Sequence, residues 1–317
     1  MKIAYLITAY LDPSQLKRLC EAILYHEKDD VAEVFLHIDQ KVDIAPFRSI
    51  LKDVVGVHFC RNRFYINWGG FNQVLSQREL LCCALDSKTK FDRFVCISAT
   101  DYPLWSNRKI MQYFKNNPKL ELVGGYDLTD SKCMWQKKKV IYYHFFRDLP
   151  VPIRVRRFFS YGSRTILRLL GFRRKPIVHL GNGKKGHIFT GSDYWAITRG
   201  CAQTVFEGLQ NGSPYIKRLK NTYIPSEIIV NTIVYNSPYR DNAHPLLKID
   251  EENMSPMPGL DLLTPLQIID YSSAIKVWTL KDYNQLVNSG KMFCRKTLSG
   301  VSDTLINKID SDLRKEV

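Results

Sequence analysis

Within the first 125 residues, short apolar runs alternate with segments whose apolar side chains recur at helical spacing, and few folds accommodate that alternation. Lys2–Thr8, Val34–Ile38, Val57–Phe59, Phe94–Ile97 and Leu120–Val123 have the length and composition of buried strands. Between the first two, Leu16, Leu19, Cys20, Ile23 and Leu24 repeat at the spacing of a helix started by Asp12 and Pro13. Further helices begin near Ala45, run through Phe71, Val74, Leu75, Leu81 and Cys82, and cover Ile110–Phe114. Strands separated by helices imply crossover connections, so the expected fold class is α/β, a mostly parallel sheet flanked by helices. Tyr10, Asp39 and Asp101 follow strand ends, where open α/β sheets bind ligands, although each acid would equally suit a cap on the turn that follows.

The alternation lapses beyond Gly125. Asp127–Arg147 is polar and aromatic, with Lys137, Lys138 and Lys139 followed by Tyr142, Tyr143 and His144. Between Asp148 and Asp193 there are ten basic residues and no acidic one, among them Arg154, Arg156, Arg157, Arg164, Arg168, Arg173, Arg174 and Lys175. The formal net charge of +15 is therefore unevenly spread, and an anionic partner is expected: a membrane surface, a phosphorylated substrate or nucleic acid. Ile166, Leu167, Leu169 and Leu170 lie opposite Arg164 and Arg168, which suits an amphipathic helix on anionic lipid. It equally suits a solvated basic helix that packs its apolar face on the core. Nucleic acid is disfavoured, because the aromatics are interleaved with aliphatics at core spacing and no recognised binding module is present.

After Gly181 the sheet resumes, Ile188–Ile197 reading as strand, glycine turn and strand, followed by a helix near Ala202–Leu209. Asn221–Tyr235 comes next. Pro225 suits a first helical turn, Ser226 can accept from a free backbone amide, and Ile228, Ile229, Val230, Ile233 and Val234 carry the helix inward. That leaves Glu227 at the helix mouth, where the positive end of the dipole favours an anion. A carboxylate held there can serve as a general base, while an acid in a first turn can also serve stability alone. Near the end, Thr279–Asp282 fits a capping box, with Leu286 and Val287 inward and Gly290 as terminator. Met292–Lys296 then places Arg295 and Lys296 on one ordered segment.

With 45% hydrophobic and 24% charged residues the chain reads as globular, and 317 residues allow one large domain. No apolar run approaches the ~20 residues of a membrane-spanning helix. The N-terminus, broken by Asp12 and Pro13, is expected to be a first strand and not a secretory signal. The eight cysteines show no metal-ligand spacing and suit buried thiols in a reducing compartment, so a cytoplasmic location is expected. There is no G-x-G-x-x-G, no phosphate-binding G-x-x-x-x-G-K-[ST], no serine nucleophile elbow and no H-E-x-x-H. His37, within an apolar strand, reads as a core or site-lining residue.

Four separated segments together resemble the core-2/I-branching β-1,6-N-acetylglucosaminyltransferases and the related peptide O-xylosyltransferases. They are Ile3-Ala4-Tyr5 with Val34–Lys41, and Asn67-Trp68-Gly69-Gly70 with Cys96–Leu104. Thr190-Gly191-Ser192 and Ile224-Pro225-Ser226-Glu227 through Thr232 complete the set. Order and approximate spacing agree over nearly the whole chain. The compact form, without the stem, anchor and disulfide cysteines of the eukaryotic enzymes, resembles the bacterial branch and implies surface-polysaccharide synthesis.

The resemblance implies a glycosyltransferase A-type fold in a single domain: a nucleotide-binding half (1–125), a basic variable insert (126–185) and an acceptor and catalytic half (186–317). It implies an inverting, metal-independent transfer from a UDP-sugar, with GlcNAc the family default, xylose the alternative and other sugars open. Glu227 takes the family's base position. Ala9, Tyr10 and Asp39 match the nucleoside side, and Lys296 aligns with a diphosphate-binding cation, with Arg295 beside it and Lys276 or a neighbour as the second. Trp68, Asp101 and Ser192 fall in sugar- or acceptor-side motifs, with Lys138 and Lys139 as candidate acceptor contacts. No cofactor or metal is expected, and the one Asp-x-Asp, Asp310-Ser311-Asp312, reads as a solvated tail. A family tryptophan is missing around Leu247–Asp250. The expected acceptor is a glycan, lipid-linked, at an anionic membrane surface on which the protein would lie peripherally.

Overall fold

The computed structural model describes residues 1–247, 265–271 and 274–315. The chain opens with β1 (Lys2–Ala9), α1 (Pro13–Ile23), β2 (Tyr25–Glu27), β3 (Asp30–Ile38), α2 (Ala45–Leu51) and β4 (Val57–Phe59). Next come α3 (Asn72–Leu85), β5 (Arg93–Ser98), β6 (Asp101–Pro103), α4 (Asn107–Asn116), β7 (Gly125–Asp127), α5 (Met134–Ile141) and α6 (Ile153–Leu169). The hairpin β8 (Ile177–Gly181) and β9 (Lys184–His187) precedes β10 (Phe189–Gly191), β11 (Trp195–Thr198), α7 (Arg199–Gly208), α8 (Pro214–Leu219) and α9 (Ser226–Tyr235). The last described elements are β12 (Gln267–Ile269), α10 (Tyr283–Val287), β13 (Phe293–Arg295) and α11 (Asp303–Asp312).

The central sheet is ordered β11-β5-β1-β3, with β2 and β4 both pairing β3. β1 runs parallel to β3 and β5, and β3 parallel to β4, while β11 and β2 are antiparallel additions. The chain is thus α/β with a mostly parallel sheet flanked by helices, the architecture of a glycosyltransferase A-type fold. β1 is covered on both faces, which is why it is a continuous apolar run. Its Ala4 and Leu6 join a core with Val74, Leu81, Val205 and Ile229, and its Ile3, Tyr5 and Ile7 join another with Leu16, Leu19, Ile110 and Phe114. Each such aliphatic side chain contributes about 1.5–3 kcal/mol by leaving water.

Register decides where the polar strand ends meet. Thr8 of β1 lies opposite His37 of β3 and Ser98 of β5, so the chain leaves all three strands at one edge of the sheet. At that edge β6 turns to pair antiparallel with β13, which sets Arg295 opposite Asp101. A third apolar cluster containing Tyr102, Leu104, Trp278, Cys294, Leu305 and Ile306 holds this C-terminal layer in place.

Several local expectations are corrected. Leu120–Val123 is no strand: Glu121 and Leu122 make only isolated bridges, to Ala243 and Ala196. The buried carboxylate of Glu121 ties the run down instead, accepting from the amide and hydroxyl of Thr198 at 2.7 and 2.6 Å. Ser226 caps nothing, since its hydroxyl donates to Asp193 at 3.3 Å and Pro225 is already helical. Leu286 is buried, whereas Val287 is exposed. Asp310-Ser311-Asp312 ends a packed helix, α11, and Asp310 accepts from the Tyr102 hydroxyl at 2.8 Å, so the tail reading fails. The eight cysteines are free thiols. Of the stretch Leu247–Asp250, residues 248–250 lie outside the described ones.

Helix α6 decides between the two orientations that the sequence leaves open for this segment. Its buried side chains are Arg156 and Ser160, while Val155, Phe158, Phe159, Ile166 and Leu169 are exposed. The alternative in which its apolar face packs on the core is therefore not realised. Among the described residues no helix is long and apolar enough to cross a membrane.

Candidate active site

The common edge of β1, β3 and β5 opens into a pocket of about 300 Å³. Thr8 and Tyr10 line it from β1, Asp39 and Lys41 from the end of β3, and Cys96, Ile97 and Ser98 from β5. Ile66, Trp68, Gln73 and Gln77 close one side, and Asp193, Tyr194 and Arg295 another.

Asp39 is fixed before any ligand arrives. Its Oδ1 accepts the amides of Lys41 and Ile66 at 2.9 and 3.3 Å, and its Oδ2 lies 3.3 Å from the Lys41 ammonium. Behind it, buried His37 accepts the Phe64 amide at 3.0 Å, and burial pushes its pKa down to about 4. His37 is thus a neutral strut for the loop that carries Ile66 and Trp68. Ala9 is buried beneath the pocket, and its carbonyl accepts the Asp39 amide at 2.8 Å. Tyr10, by contrast, is exposed at the rim.

The Trp68-Gly69-Gly70 turn has a steric cause. Gly69 has φ +74°, and a Cβ on Gly70 would sit 2.1 Å from Oδ1 of Asp148. That carboxylate has to approach, because it accepts the amides of Phe71 and Asn72 at 2.8 and 3.0 Å and so caps α3 from a distant loop. The turn leaves Trp68 67% exposed, edge-on to Tyr223 at 5.5 Å.

On the opposite side Arg295 reaches into the pocket, its guanidinium 4.8 Å from the Tyr194 ring centre and 3.5 Å from Asp101. Burial works against its charge, but Tyr194, Asp101 and Asp193 outweigh that and hold its pKa above the usual arginine value. Asp101 is fully buried and accepts the Ser98 amide at 2.8 Å; burial raises its pKa to about 6 despite Arg295. Asp193 accepts from Gln73 at 2.5 Å and from Ser226 at 3.3 Å. Burial, then the nearby charge of Glu227, raises Asp193 to about 7.

Glu227 does not itself line the pocket but stands beside it in the first turn of α9, one residue beyond Ser226, whose hydroxyl reaches pocket-lining Asp193. Its carboxylate accepts from the Lys139 ammonium at 3.0 Å, and that lysine side chain is only 9% exposed. The structure therefore gathers Tyr10, Asp39, Trp68, Arg295, Glu227 and Lys139 on or beside one pocket, with Asp101 behind Arg295. It sends Lys138 elsewhere, into a separate basic pocket with Arg164 and Arg168. Ser192 is a buried turn residue that accepts the Tyr194 amide at 3.0 Å. Lys276 is engaged by Asp282 at 2.7 Å, and neither it nor Lys296 lines the pocket. The sequence points to no role for Gln73, Gln77 or Asp193, while Lys41 and Tyr194 fall in or beside the segments that carry the resemblance without an assigned role. An acid directly after a Gly-Ser turn was the one available signal, for Asp193. Outside the pocket, Asp127, Asp130 and His187 place three potential metal-ligand atoms within 4.8 Å of one another.

Pocket-lining carboxylates, an arginine paired with a buried aspartate and a carboxylate beside the pocket at a helix mouth suit transfer from an anionic donor to a hydroxyl. Comparison with known proteins agrees. The Core-2/I-Branching enzyme family matches residues 3–244, and the chain belongs to that family. The match spans Glu227 and stops before Lys276, Arg295 and Lys296. No curated protein matches the chain. Membership makes it a glycosyltransferase, working with a nucleotide-sugar donor and a glycan acceptor.

Proposed function

We propose that this glycosyltransferase moves GlcNAc, or in the alternative xylose, from a UDP-sugar to a glycan hydroxyl with inversion and without a metal, in bacterial surface-polysaccharide synthesis. The observation that carries this reading is Glu227, held by Lys139 at 3.0 Å beside a pocket lined by an arginine that is paired with a buried aspartate. In the reaction the acceptor oxygen forms a bond to C1 of the sugar as the bond from C1 to the phosphate oxygen breaks. Glu227 takes the hydroxyl proton, and the nucleoside diphosphate leaves with the bonding pair. Arg295 faces the charge that develops on the leaving phosphate, which it can meet with two parallel N–H donors. Tyr10 and Asp39 take the nucleoside, and Trp68 offers an exposed ring for a sugar face. A lipid-linked acceptor is favoured because Lys138, next to Lys139 on α5, shares a pocket with Arg164 and Arg168 of α6, a helix whose apolar face is exposed.

Glu227→Gln keeps size and loses proton affinity, so turnover should fall by about 10²–10⁴-fold while UDP still stabilises the fold against heat. Retained turnover would remove Glu227 as the base. Activity should also persist in excess chelator, and a manganese requirement would overturn the metal-free step.

A further inference from the structure

Helix α6 is inside out. Phe158, Phe159, Ile166 and Leu169 follow Val155 at intervals of three, four, eleven and fourteen residues, which gathers all five in a sector of about 100°. That sector faces away from the protein, with Phe158 75% and Leu169 77% exposed. Phe146 extends it, its ring 6.1 Å from Phe159, and Leu170 and Phe172 prolong it past the helix end. Such a contiguous apolar surface marks a place where something else packs. One flank of the same helix carries Arg154, Arg157, Arg164 and Arg168. Arg164 and Arg168 close over Lys138, with Tyr142 and Thr165, around a pocket of about 180 Å³.

We propose that α6 docks on the surface of an anionic phospholipid bilayer, its apolar stripe among the acyl chains and a lipid phosphate in the Lys138–Arg164–Arg168 pocket. Charge selects this occupant. No acidic residue occurs between Asp148 and Asp193, so a second copy seated on this face would oppose arginines to arginines. Nucleic acid would satisfy the arginines but not a stripe of valine, isoleucine, leucine and phenylalanine. A lipid surface supplies the anionic plane and the hydrocarbon together. The placement also bears on catalysis, since α5 directs Lys138 to this pocket and the adjacent Lys139 to Glu227. Docking therefore brings the headgroup plane beside the rim where the acceptor must enter.

The test is flotation of the full chain with vesicles of phosphatidylcholine alone or mixed with phosphatidylglycerol. The wild type should float with the mixed vesicles and much less with the neutral ones, and raising salt from about 0.1 M to about 1 M should weaken the binding as the Debye length falls from about 10 to 3 Å. Phe158→Ser with Leu169→Ser should cut flotation at least about tenfold. Arg164→Gln with Arg168→Gln should erase the preference for anionic vesicles, and both pairs should keep the wild-type unfolding temperature. The proposal is overturned if the wild type stays unbound to the anionic vesicles or binds neutral ones equally. It is also overturned if the wild type is a dimer in solution that Phe158→Ser with Leu169→Ser dissociates, or binds RNA tightly while ignoring lipid.

Discussion

Arg295 in the pocket and Arg168 on α6 belong to one chain and live in opposite surroundings. Arg295 lies against Tyr194, 3.5 Å from a buried aspartate, and the strand pairing of β6 with β13 fixes its approach. Arg168 is exposed, shares its pocket with two other cations, and belongs to a segment without a single acid. In the pocket the charges are set before a ligand arrives, which suits a site that must stabilise a transition state. On α6 the charges await something larger than the protein. The difference separates a site built for one small anion from a face built for an anionic plane.

The largest expected effect after loss of the base tests the pocket side. Arg295→Gln leaves Asp101 buried without its cation and should cost about 3–5 kcal/mol, read from urea unfolding near neutral pH. Asp101 titrates at about 6 when folded, above its ordinary 3.8, so the folded protein holds an extra proton in that window and loses stability as pH rises through it. Removing Arg295 pushes the upper end of the window higher. The penalty should therefore grow between about pH 5 and pH 8. An equal penalty at both would mean that the pair contributes packing and not charge.

How much of this was legible beforehand follows the same division. The runs Lys2–Thr8, Val34–Ile38 and Phe94–Ile97 became β1, β3 and β5 because strands covered on both faces need unbroken apolar sequence. Tyr10 and Asp39 line the pocket because strand ends converge in a parallel sheet, whereas Asp101 lies behind Arg295 and does not line it. The resemblance points to Lys296 as the diphosphate cation with Arg295 beside it, whereas Arg295, set opposite Asp101 by the register against β6, is the one of the two that lines the pocket. Asp193 gained its character from Gln73 and Ser226, which are far from it in the chain. Periodicity identified α6 as a helix, but periodicity cannot say which side meets the core. The usual assumption turns the apolar side inward, and here that side faces out.

A moderate effect is expected at Asp193. Its carboxyl rises to about 7 through burial first and the charge of Glu227 second, so it too takes up a proton on folding and costs stability as pH climbs from about 4 to about 7. Asp193→Asn keeps an acceptor for Gln73 and Ser226 and removes the titration. Unfolding midpoints followed across that range should decline less steeply than those of the wild type. Parallel profiles would locate the decline at Asp101 instead and weaken the picture of Asp193 and Glu227 as interacting carboxyls.

The smallest expected effect gives the clearest contrast between the regions. Phe158 is a large aromatic side chain, and in the core truncating such a residue costs about 3–5 kcal/mol. At 75% exposure, with Phe159 as its ring neighbour, Phe158 has little burial to lose within the protein. Phe158→Ser should therefore change unfolding stability in the absence of lipid by no more than about 0.5 kcal/mol. A cost of core size would mean that α6 packs against the protein in solution, and the two regions would then differ only in charge. A negligible cost means that hydrophobic residues are kept outward at no benefit to the fold, which the folded chain alone does not explain and a bilayer does.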